Sequence, residues 1–260
     1  MSGPLDFTGL AVLITGGSRG IGRGIAEAFL AAGADVAVCG RTKPRELASA
    51  GGKSALFVRA DVRDAGQVET MVNEAVERCG RLDVLVNNAG GAPFAEAATA
   101  SPSFSEKVIQ LNLTAALHCA QQANRVMQDQ ASGGCIINIA SVSGVRPSPG
   151  TAAYGAAKAG LINLTGSLAI EWAPKVRVNS IAAGLIRTEQ AHLHYGDEHG
   201  ITRVAQTVPL RRLGTPGDVA GACLFFASPL AAYVNGANLV LHGGGETPAF
   251  ISAANVNQGE

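Results

Sequence analysis

The chain has 260 residues, a formal net charge of zero at pH 7, 47% hydrophobic residues and only 15% charged ones. This length suits one α/β domain with a full core, and the neutral balance excludes the basic face that nucleic-acid binding demands. The first residues lack a basic-then-apolar signal and no apolar run is long enough to span a bilayer, so we expect a cytoplasmic protein without a membrane partner.

Short apolar runs alternate with longer amphipathic segments from one end of the chain to the other. This order predicts parallel strands joined by right-handed helical crossovers. Without an internal repeat or a low-complexity linker, we predict one domain over residues 1–260: a Rossmann-like, doubly wound α/β fold with a seven-stranded parallel sheet and helices on both faces. The predicted strands are Ala11–Thr15, Asp35–Cys39, Ala55–Ala60, Val84–Asn87, Cys135–Ala140, Val176–Ile181 and Asn238–Leu241, and the predicted helical segments are Ile21–Ala32, Ala65–Cys79, Phe104–Asp129, Ala152–Trp172 and Pro216–Ala227.

The segment after the first strand is rich in glycine and leads directly into a helix. Residues 15–22 read Thr-Gly-Gly-Ser-Arg-Gly-Ile-Gly. Glycines let the backbone approach a pyrophosphate closely, and a helix N-terminus offers free N–H groups and a positive dipole end. A tight turn alone is the alternative, but the strand–loop–helix context favours nucleotide binding. The predicted contacts come from Gly16, Ser18, Arg19, Gly20, Ile21 and Gly22.

The end of the second strand indicates which dinucleotide binds. NAD-binding folds place an acidic residue about 20 residues beyond the loop, where it bonds the ribose 2′-hydroxyl. Here the strand ends in Cys39, Gly40 and Arg41, and Asp35 stands at its opposite end. Arg41, assisted by Arg19, is suited to a 2′-phosphate. Two solvated arginines are the alternative; with the acid missing, NADP(H) is favoured over NAD(H).

Tyr154 and Lys158 lie four residues apart in a predicted helix, so they share one face. A free tyrosine has a pKa of about 10, and a neighbouring ammonium is expected to lower it toward the range of a useful acid/base. Ser141 follows the fifth predicted strand, where its hydroxyl can bond a substrate oxygen. A surface pair is the alternative for Tyr154 and Lys158, but the phosphate loop and Ser141 argue against it.

These motifs together resemble the short-chain dehydrogenase/reductase family over nearly the whole chain, from Leu5 to Gly245. The resemblance rests on five motifs in the family's order and spacing, and within the family it is nearest to the group with 3-oxoacyl thioester reductases, glucose dehydrogenases, tropinone reductases and hydroxysteroid dehydrogenases. The matching positions are residues 15–22, Asp61, residues 87–90 (Asn-Asn-Ala-Gly), Asn112, Ser141, and residues 154–158 (Tyr-Gly-Ala-Ala-Lys).

The resemblance implies that Tyr154 exchanges a proton with the substrate oxygen, Ser141 polarises the carbonyl, and Lys158 lowers the pKa of Tyr154 and bonds the nicotinamide ribose. It also implies that Asn112 holds a water linking Lys158 to bulk solvent. Further cofactor contacts are implied for Asp61 and Val62 at the adenine, for Asn88, Ala89 and Gly90 at its ribose, and for Gly184, Ile186 and Thr188 at the nicotinamide carboxamide. For Asp61 the alternative is a cap on the following helix.

One position departs from the family pattern. Family members usually have Pro-Gly after the sixth strand, and this chain has Ala183 before Gly184. Alanine is expected to leave this loop less stiff. The departure bears on the geometry of the nicotinamide pocket more than on the type of reaction.

Residues 187–209 are expected to form a polar lid over the substrate, and residues 246–260 a tail. His192 and His194 resemble a metal-binding pair, but no third ligand stands at a useful spacing, so no metal is predicted. The five scattered cysteines are expected to be free thiols. By resemblance the chain is expected to form a homotetramer, with a dimer second, and Phe250 and Ile251 to pack on a neighbour or lie in a disordered tail.

The sequence predicts an oxidoreductase that interconverts a ketone and a secondary alcohol. The alternatives are an idle dinucleotide-binding sensor or scaffold, and a dehydratase or epimerase, although no additional acid/base is identifiable. The substrate stays open between a 3-oxoacyl thioester and a hydroxysteroid or other cyclic ketone. A thioester carrier needs a basic rim for its phosphates, for which the candidates are Arg187, Arg203, Arg211 and Arg212.

Overall fold

The computed structural model describes residues 3–254, which contain one seven-stranded sheet, a small hairpin and nine α-helices. Every pairing in the large sheet is parallel. The strands are β1 (Ala11–Thr15), β2 (Asp35–Gly40), β3 (Ser49–Ala50), β4 (Lys53–Ser54), β5 (Leu56–Arg59), β6 (Val84–Asn87), β7 (Gly134–Ser141), β8 (Val176–Ala183) and β9 (Asn238–Leu241). The helices are α1 (Gly20–Ala31), α2 (Ala65–Cys79), α3 (Pro102–Ile109), α4 (Ala115–Asp129), α5 (Ala152–Glu171), α6 (His192–Tyr195), α7 (Glu198–Thr207), α8 (Pro216–Ala227) and α9 (Ala249–Ala253).

The strand order is β5-β2-β1-β6-β7-β8-β9, which confirms the predicted doubly wound sheet. The chain moves outward from β1 to β5, then returns to place β6 on the other side of β1. Ligands of such sheets bind beyond the carboxyl ends of the strands, where the order reverses. The ends of β1 and β6 therefore mark the position of the site.

Two apolar layers bury the sheet on both faces, as the continuous apolar strands predict. Two consecutive residues of β1, whose side chains point to opposite faces, illustrate the division. Ile14 packs with α1 and α8, and Leu13 packs with α2 and α4. Both side chains are fully buried. A sheet that is packed on both faces gives its carboxyl edge a rigid base.

The predicted helix over Phe104–Asp129 is interrupted in the structure. It begins earlier, at Pro102, where the Ser101 side chain caps the Phe104 N–H group. A five-residue π-helical turn, Gln110–Thr114, then separates α3 from α4. Turns of this kind often occur at functional sites, and this one contains Asn112.

Three regions contain elements that were not predicted from the sequence. β3 and β4 form an antiparallel hairpin whose turn residues, Gly51 and Gly52, both have positive φ. The lid contains α6 and α7, which pack around a small apolar cluster of their own that includes Ile201 and Val208. Of the predicted tail, residues 246–254 contain α9, with Phe250 and Ile251 exposed, and residues 255–260 lie outside the described part.

Candidate active site

The glycine-rich segment forms the loop between β1 and α1, at the carboxyl edge of the sheet. Thr15 Oγ1, at the end of β1, accepts hydrogen bonds from the N–H groups of Asn88 and Ala89 at 2.9 and 3.0 Å. The Asn88 side chain in turn donates to the carbonyl oxygens of Thr15 and Gly16. Asn88 therefore fixes the loop against the end of β6.

Two glycines of this loop are required for different reasons. Gly20 has a φ of 54°, in the left-handed region that favours glycine. A Cβ on Gly22 would lie 2.5 Å from Asn88 Nδ2, so a side chain there would displace the asparagine. The N-cap residue of α1, Arg19, provides no side-chain cap, and the first turn contains no acidic residue. A helix N-terminus without a side-chain cap of its own, behind a close-packed glycine loop, fits a pyrophosphate group.

One lid residue that the sequence analysis did not identify contacts this loop. Glu189 Oε1 accepts a hydrogen bond from the Gly20 N–H group at 2.9 Å. Its neighbour Thr188 also approaches the loop, because a Cβ on Gly20 would lie 3.6 Å from Thr188 Cγ2. The start of the lid is thus bonded to the start of α1 through a carboxylate.

The groups expected to distinguish NADP(H) from NAD(H) lie around the end of β2. Arg19 and Arg41 are both exposed and make no ion pair within residues 3–254. Ser18 Oγ lies close to the end of β2, 3.6 Å from where a Cβ on Gly40 would be. Asp35 stands at the other end of the strand and pairs with Lys53. The end of β2 therefore presents cations and a hydroxyl.

Asp61 lies just beyond β5 and forms an ion pair with Arg63. This contact, together with the charge of Arg41, lowers the pKa of the Asp61 carboxyl group despite some desolvation. The following helix is capped by Asp64, whose side chain accepts from the Gln67 N–H group. The alternative of Asp61 as the cap of that helix is therefore wrong.

Ser141, Tyr154 and Lys158 come together where β7 meets α5. Ser141 is the last residue of β7, and its hydroxyl accepts a hydrogen bond from the Ser143 N–H group at 3.1 Å. The same hydroxyl lies near enough to the Tyr154 phenol to act on its pKa. The Lys158 ammonium lies 5.6 Å from the centroid of the Tyr154 ring and donates to the Ile139 carbonyl oxygen at 2.7 Å. Lys158 is only 3% exposed. We call these three side chains and their two elements the wall of the site.

The pKa values in the wall differ from the expectation for Tyr154. Burial raises the pKa of the phenol, and the Ser141 hydroxyl opposes this rise only in part. The prediction that the pKa of Tyr154 is lowered is therefore wrong for the polypeptide without its cofactor. The cost of desolvating the phenolate outweighs the effect of the Ser141 hydroxyl. Burial also lowers the pKa of the Lys158 ammonium, to about 8.

Asn112 is buried in the π-helical turn and uses its amide on backbone groups. Its Oδ1 accepts from the Gly91 N–H group at 2.8 Å, and its Nδ2 donates to the carbonyl oxygens of Gly91 and Val108. A Cβ on Gly90 would lie 2.7 Å from Asn112 Oδ1 and 3.3 Å from Lys158 Nζ. Asn112 and Lys158 therefore meet around Gly90, which leaves room between them because it has no side chain.

The end of β8 forms another boundary of the site. Ala183 is in register with Ser141 on one side and Leu241 on the other, so the residue that replaces proline continues the strand. The next residue, Gly184, packs closely against His242, since a Cβ on Gly184 would lie 2.7 Å from His242 Cβ. Ile186 then forms a bridge with Gly214. These contacts direct the chain from the end of β8 toward Thr188 and the phosphate loop.

A cleft of about 80 Å³ opens beside Tyr154. The residues that line it are mostly small and apolar, so the cleft suits a carbon skeleton better than a highly charged group. The residues that line it are Ala92, Pro93, Ala95, Ala97, Ala100, Phe104, Ser105, Val108, Thr151, Ala152, Ala153 and Tyr154.

The arginines considered as a basic rim are largely engaged with other groups. Arg187 pairs with Glu198, and Arg212 pairs with Asp218. Arg211 donates to the Gln206 carbonyl oxygen. Two of the four arginines are therefore paired with carboxylates, whereas Arg203 and Arg211 form no ion pair within residues 3–254.

Residues 3–254 contain no cluster of three metal-binding side chains, and His192 and His194 are exposed. Within the same residues, no helix combines the length and apolarity needed to cross a membrane. All five cysteines are free thiols, and four of them are buried.

Comparison with known proteins gives one match to a family model. Residues 16–246 match the model described as Enoyl-(Acyl carrier protein) reductase. The match begins in the phosphate loop and ends at Glu246, so it includes the wall and the lid.

Individual relatives cover nearly the whole chain at similar identity. A 3-oxoacyl-[acyl-carrier-protein] reductase of Chlamydia pneumoniae is 38% identical over 92% of this chain and 98% of its own length. An L-rhamnose 1-dehydrogenase (NAD(P)(+)) of Azotobacter vinelandii is 37% identical over 90% of this chain and 95% of its own. The structure of the aldohexose dehydrogenase of Thermoplasma acidophilum superposes with a TM-score of 0.85 at 29% identity, covering 98% of both chains. These names differ in substrate, so overall similarity alone does not identify the substrate of this chain.

Proposed function

We propose that this chain, which belongs to the short-chain dehydrogenase/reductase family, interconverts a ketone and a secondary alcohol with NADP(H). Its relatives make it an oxidoreductase that acts on alcohol and ketone groups. One observation carries the proposal further: the buried Lys158 ammonium lies 5.6 Å from the centroid of the Tyr154 ring, at the point where β7 ends in Ser141.

The wall is suited to moving one proton at the substrate oxygen. A bound nicotinamide cofactor supplies the hydride. Tyr154 donates its proton to the carbonyl oxygen during reduction and accepts it during oxidation. The raised pKa keeps the phenol protonated at neutral pH, as a proton donor requires. Ser141 donates to the same oxygen, and Lys158 stabilises the negative charge that Tyr154 acquires.

Asn112 is proposed to hold a water that connects Lys158 with solvent. Support comes from the meeting of Asn112 Oδ1 and Lys158 Nζ around Gly90. Because the lysine is buried, a relay of this kind would replace its proton after each turnover. The amide is already fixed by the Gly91 backbone, so the water would be held by a rigid group.

The residues at the carboxyl edge fit a dinucleotide. The glycine loop and the start of α1 fit the pyrophosphate, and we assign to it Gly16, Ser18, Gly20, Ile21 and Gly22. Arg19 and Arg41 are proposed to pair with the 2′-phosphate of NADP(H), supported by their exposure and by the absence of an acid at the end of β2. We assign the adenosine to Asp61, Val62, Asn88, Ala89 and Gly90, the nicotinamide to Gly184, Ile186 and Thr188, and the nicotinamide ribose to Tyr154 and Lys158.

The proposed assembly is a cytoplasmic homotetramer that acts on a small carbonyl or alcohol. Exposed apolar side chains support subunit contacts: Ile170 of α5 is 82% exposed, and Phe250 of α9 is also exposed. Sedimentation equilibrium tests the assembly, and a monomer at micromolar concentration would contradict it. The buried free thiols are consistent with a reducing compartment.

Consumption of NADPH with a panel of ketones tests the function. The panel contains cyclohexanone, its hydroxylated derivatives, a steroid ketone and a 3-oxoacyl thioester. We expect turnover of at least one member, and a higher kcat/KM with NADPH than with NADH. A protein that binds NADPH and reduces no ketone would instead be a dinucleotide-binding sensor.

A further inference from the structure

An ion pair joins two segments beside the wall that are far apart in sequence. The Arg146 guanidinium binds the Glu246 carboxylate, with 40% and 34% of the two side chains exposed. Arg146 lies five residues after Ser141, in the segment that leads to α5 and Tyr154. Glu246 follows the glycine turn after β9. The pair therefore joins the loops after β7 and β9, whose carboxyl ends lie on either side of the end of β8.

Both partners are held in place by backbone bonds near them. The Arg146 N–H group donates to the Val142 carbonyl oxygen at 3.0 Å. On the other side, the Thr247 N–H group donates to Thr207 at the end of α7, and Leu210 donates to Gly243. The position of the ion pair is thus set by β7 and by the base of the lid.

Tyr195, in helix α6 of the lid, connects this pair with the reacting groups. Its ring packs against the apolar cluster of the lid. Burial raises the pKa of its phenol, the negative charges of Glu246 and of ionised Tyr154 raise it further, and Arg146 opposes them. The Tyr195 hydroxyl therefore lies within electrostatic range of both the ion pair and Tyr154.

Apolar side chains flank these groups. Leu193 and Val145 are close to them in the sequence and are both exposed, and the cleft next to Tyr154 is lined mostly by small apolar residues. An anion placed at the pair would be repelled by Glu246 while attracted to Arg146. A neutral hydroxyl, in contrast, can donate to the carboxylate and accept from the guanidinium without separating the two charges.

We propose that Arg146 and Glu246 are specificity-determining residues that bind a neutral hydroxyl group of the substrate, remote from the reacting carbon. The substrate is then a compact hydroxylated molecule, such as a polyol, a sugar or a hydroxylated ring, rather than an acyl chain on a phosphorylated carrier. This inference rests on the proposed reduction at Tyr154 and identifies its class of substrate.

Matched ketones that differ by one hydroxyl test the inference. The wild-type enzyme is assayed with NADPH on cyclohexanone and on 2-, 3- and 4-hydroxycyclohexanone, so that several distances are covered. A hydrogen bond to a charged group corresponds to a preference of about tenfold or more. We therefore expect kcat/KM for the best hydroxylated ketone to exceed that for cyclohexanone by about tenfold.

The variants Glu246→Gln and Arg146→Gln should reduce this ratio to a value of about one to three, mainly through KM. Glu198→Gln is the matched control, because Glu198 is a lid carboxylate that is also paired with an arginine and is more exposed than Glu246. It should leave the ratio at the wild-type value. The ratio is informative because loss of a purely structural ion pair would change kcat/KM for both ketones by the same factor.

Two results would overturn the inference while leaving the proposed function intact. In the first, the wild type reduces cyclohexanone and gains nothing from any hydroxyl. In the second, the preference exists, but Glu246→Gln and Arg146→Gln lower both activities together and keep the ratio. Failure to reduce any ketone of the wider panel would contradict the proposed function itself, and the inference with it.

Discussion

The wall and the rest of the site's boundary are built in different ways. The wall stands on β7 and α5, its lysine is buried, and Ser141 and Lys158 are bonded to the backbone. The rest of the boundary, which we call the rim, consists of Arg146, residues 187–209 and residues 242–247. Its helices α6 and α7 are short, and most of its charged side chains reach solvent.

This difference separates the reaction from the choice of substrate. Proton transfer needs groups held within a fraction of an ångström, which strands and long helices provide. Recognition of the remainder of a substrate can vary on loops without disturbing those groups. The comparison explains how relatives of similar identity can carry names with different substrates.

The largest effect is expected from a change in the wall. Lys158→Met removes the ammonium that stabilises negative charge on Tyr154, so kcat/KM for ketone reduction should fall by about a thousandfold. The thermal midpoint should not fall, because a buried charge is removed and the methionine is similar in length. Steady-state kinetics and thermal unfolding measure the two quantities.

Lys175→Met is the matched control for this change. Lys175 is exposed and precedes β8, at the end of the sheet away from the site, where it bonds the Gln128 and Gln130 carbonyl oxygens. Its kcat/KM should stay within about twofold of wild type. Equal losses of kcat/KM in Lys158→Met and Lys175→Met would contradict a specific role of Lys158 in the reaction.

The pH profile of the wild type examines the same lysine without mutation. Burial lowers the pKa of Lys158 to about 8, so the ammonium is charged below that pH and is lost as the pH rises through it. The kcat/KM of reduction should therefore fall above about pH 8 and the decline should be absent in Lys158→Met. A profile that stays flat until free tyrosine ionises, at about pH 10, would contradict this role.

A smaller effect is expected at the end of β2, where the cofactor rather than the substrate is selected. Arg41→Asp should lower the ratio of kcat/KM for NADPH to that for NADH by about ten- to a hundredfold, because a cation becomes an acid suited to a ribose hydroxyl. Arg125→Asp, an exposed arginine on α4, should leave the ratio unchanged. A wild type that prefers NADH would refute the choice of cofactor.

The smallest effect is expected where the rim contacts the phosphate loop. The Glu189 carboxylate is bonded to the Gly20 N–H group, beside the proposed pyrophosphate site. Glu189→Gln removes a negative charge that lies beside the proposed site of the NADPH pyrophosphate and repels it. NADPH should therefore bind about threefold more tightly, as measured by fluorescence titration. Glu198→Gln should bind NADPH like wild type, and weaker binding by Glu189→Gln would show that the carboxylate aids the cofactor.

The framework of the sheet was predictable because its inner strands are buried on both faces. β1 and β6 have the predicted bounds, since a continuous apolar run ends where a turn or a polar residue begins. The edge strand β9 also has the predicted bounds, although Leu239 and Val240 are exposed. The positions of Ser141, Tyr154 and Lys158 were predictable for the same reason: a strand end and a helical spacing of four determine them.

Other features depend on contacts that no local pattern contains. The π-helical turn arises where Asn112 binds the backbone of Gly91, 21 residues away. The Glu189 contact with Gly20 crosses 169 residues, and the Arg146–Glu246 pair crosses 100. The direction of the Tyr154 pKa shift was also missed, because spacing places Lys158 nearby but gives no measure of burial.

Replacement of one oxygen atom tests the central claim most directly. Tyr154→Phe removes the proton donor and leaves the glycine loop and the arginines in place, so NADPH should bind within about threefold of wild type while kcat falls by at least about a thousandfold. Fluorescence titration and single-turnover oxidation of NADPH with a ketone measure both quantities on one sample. Turnover equal to wild type in this variant would contradict the account.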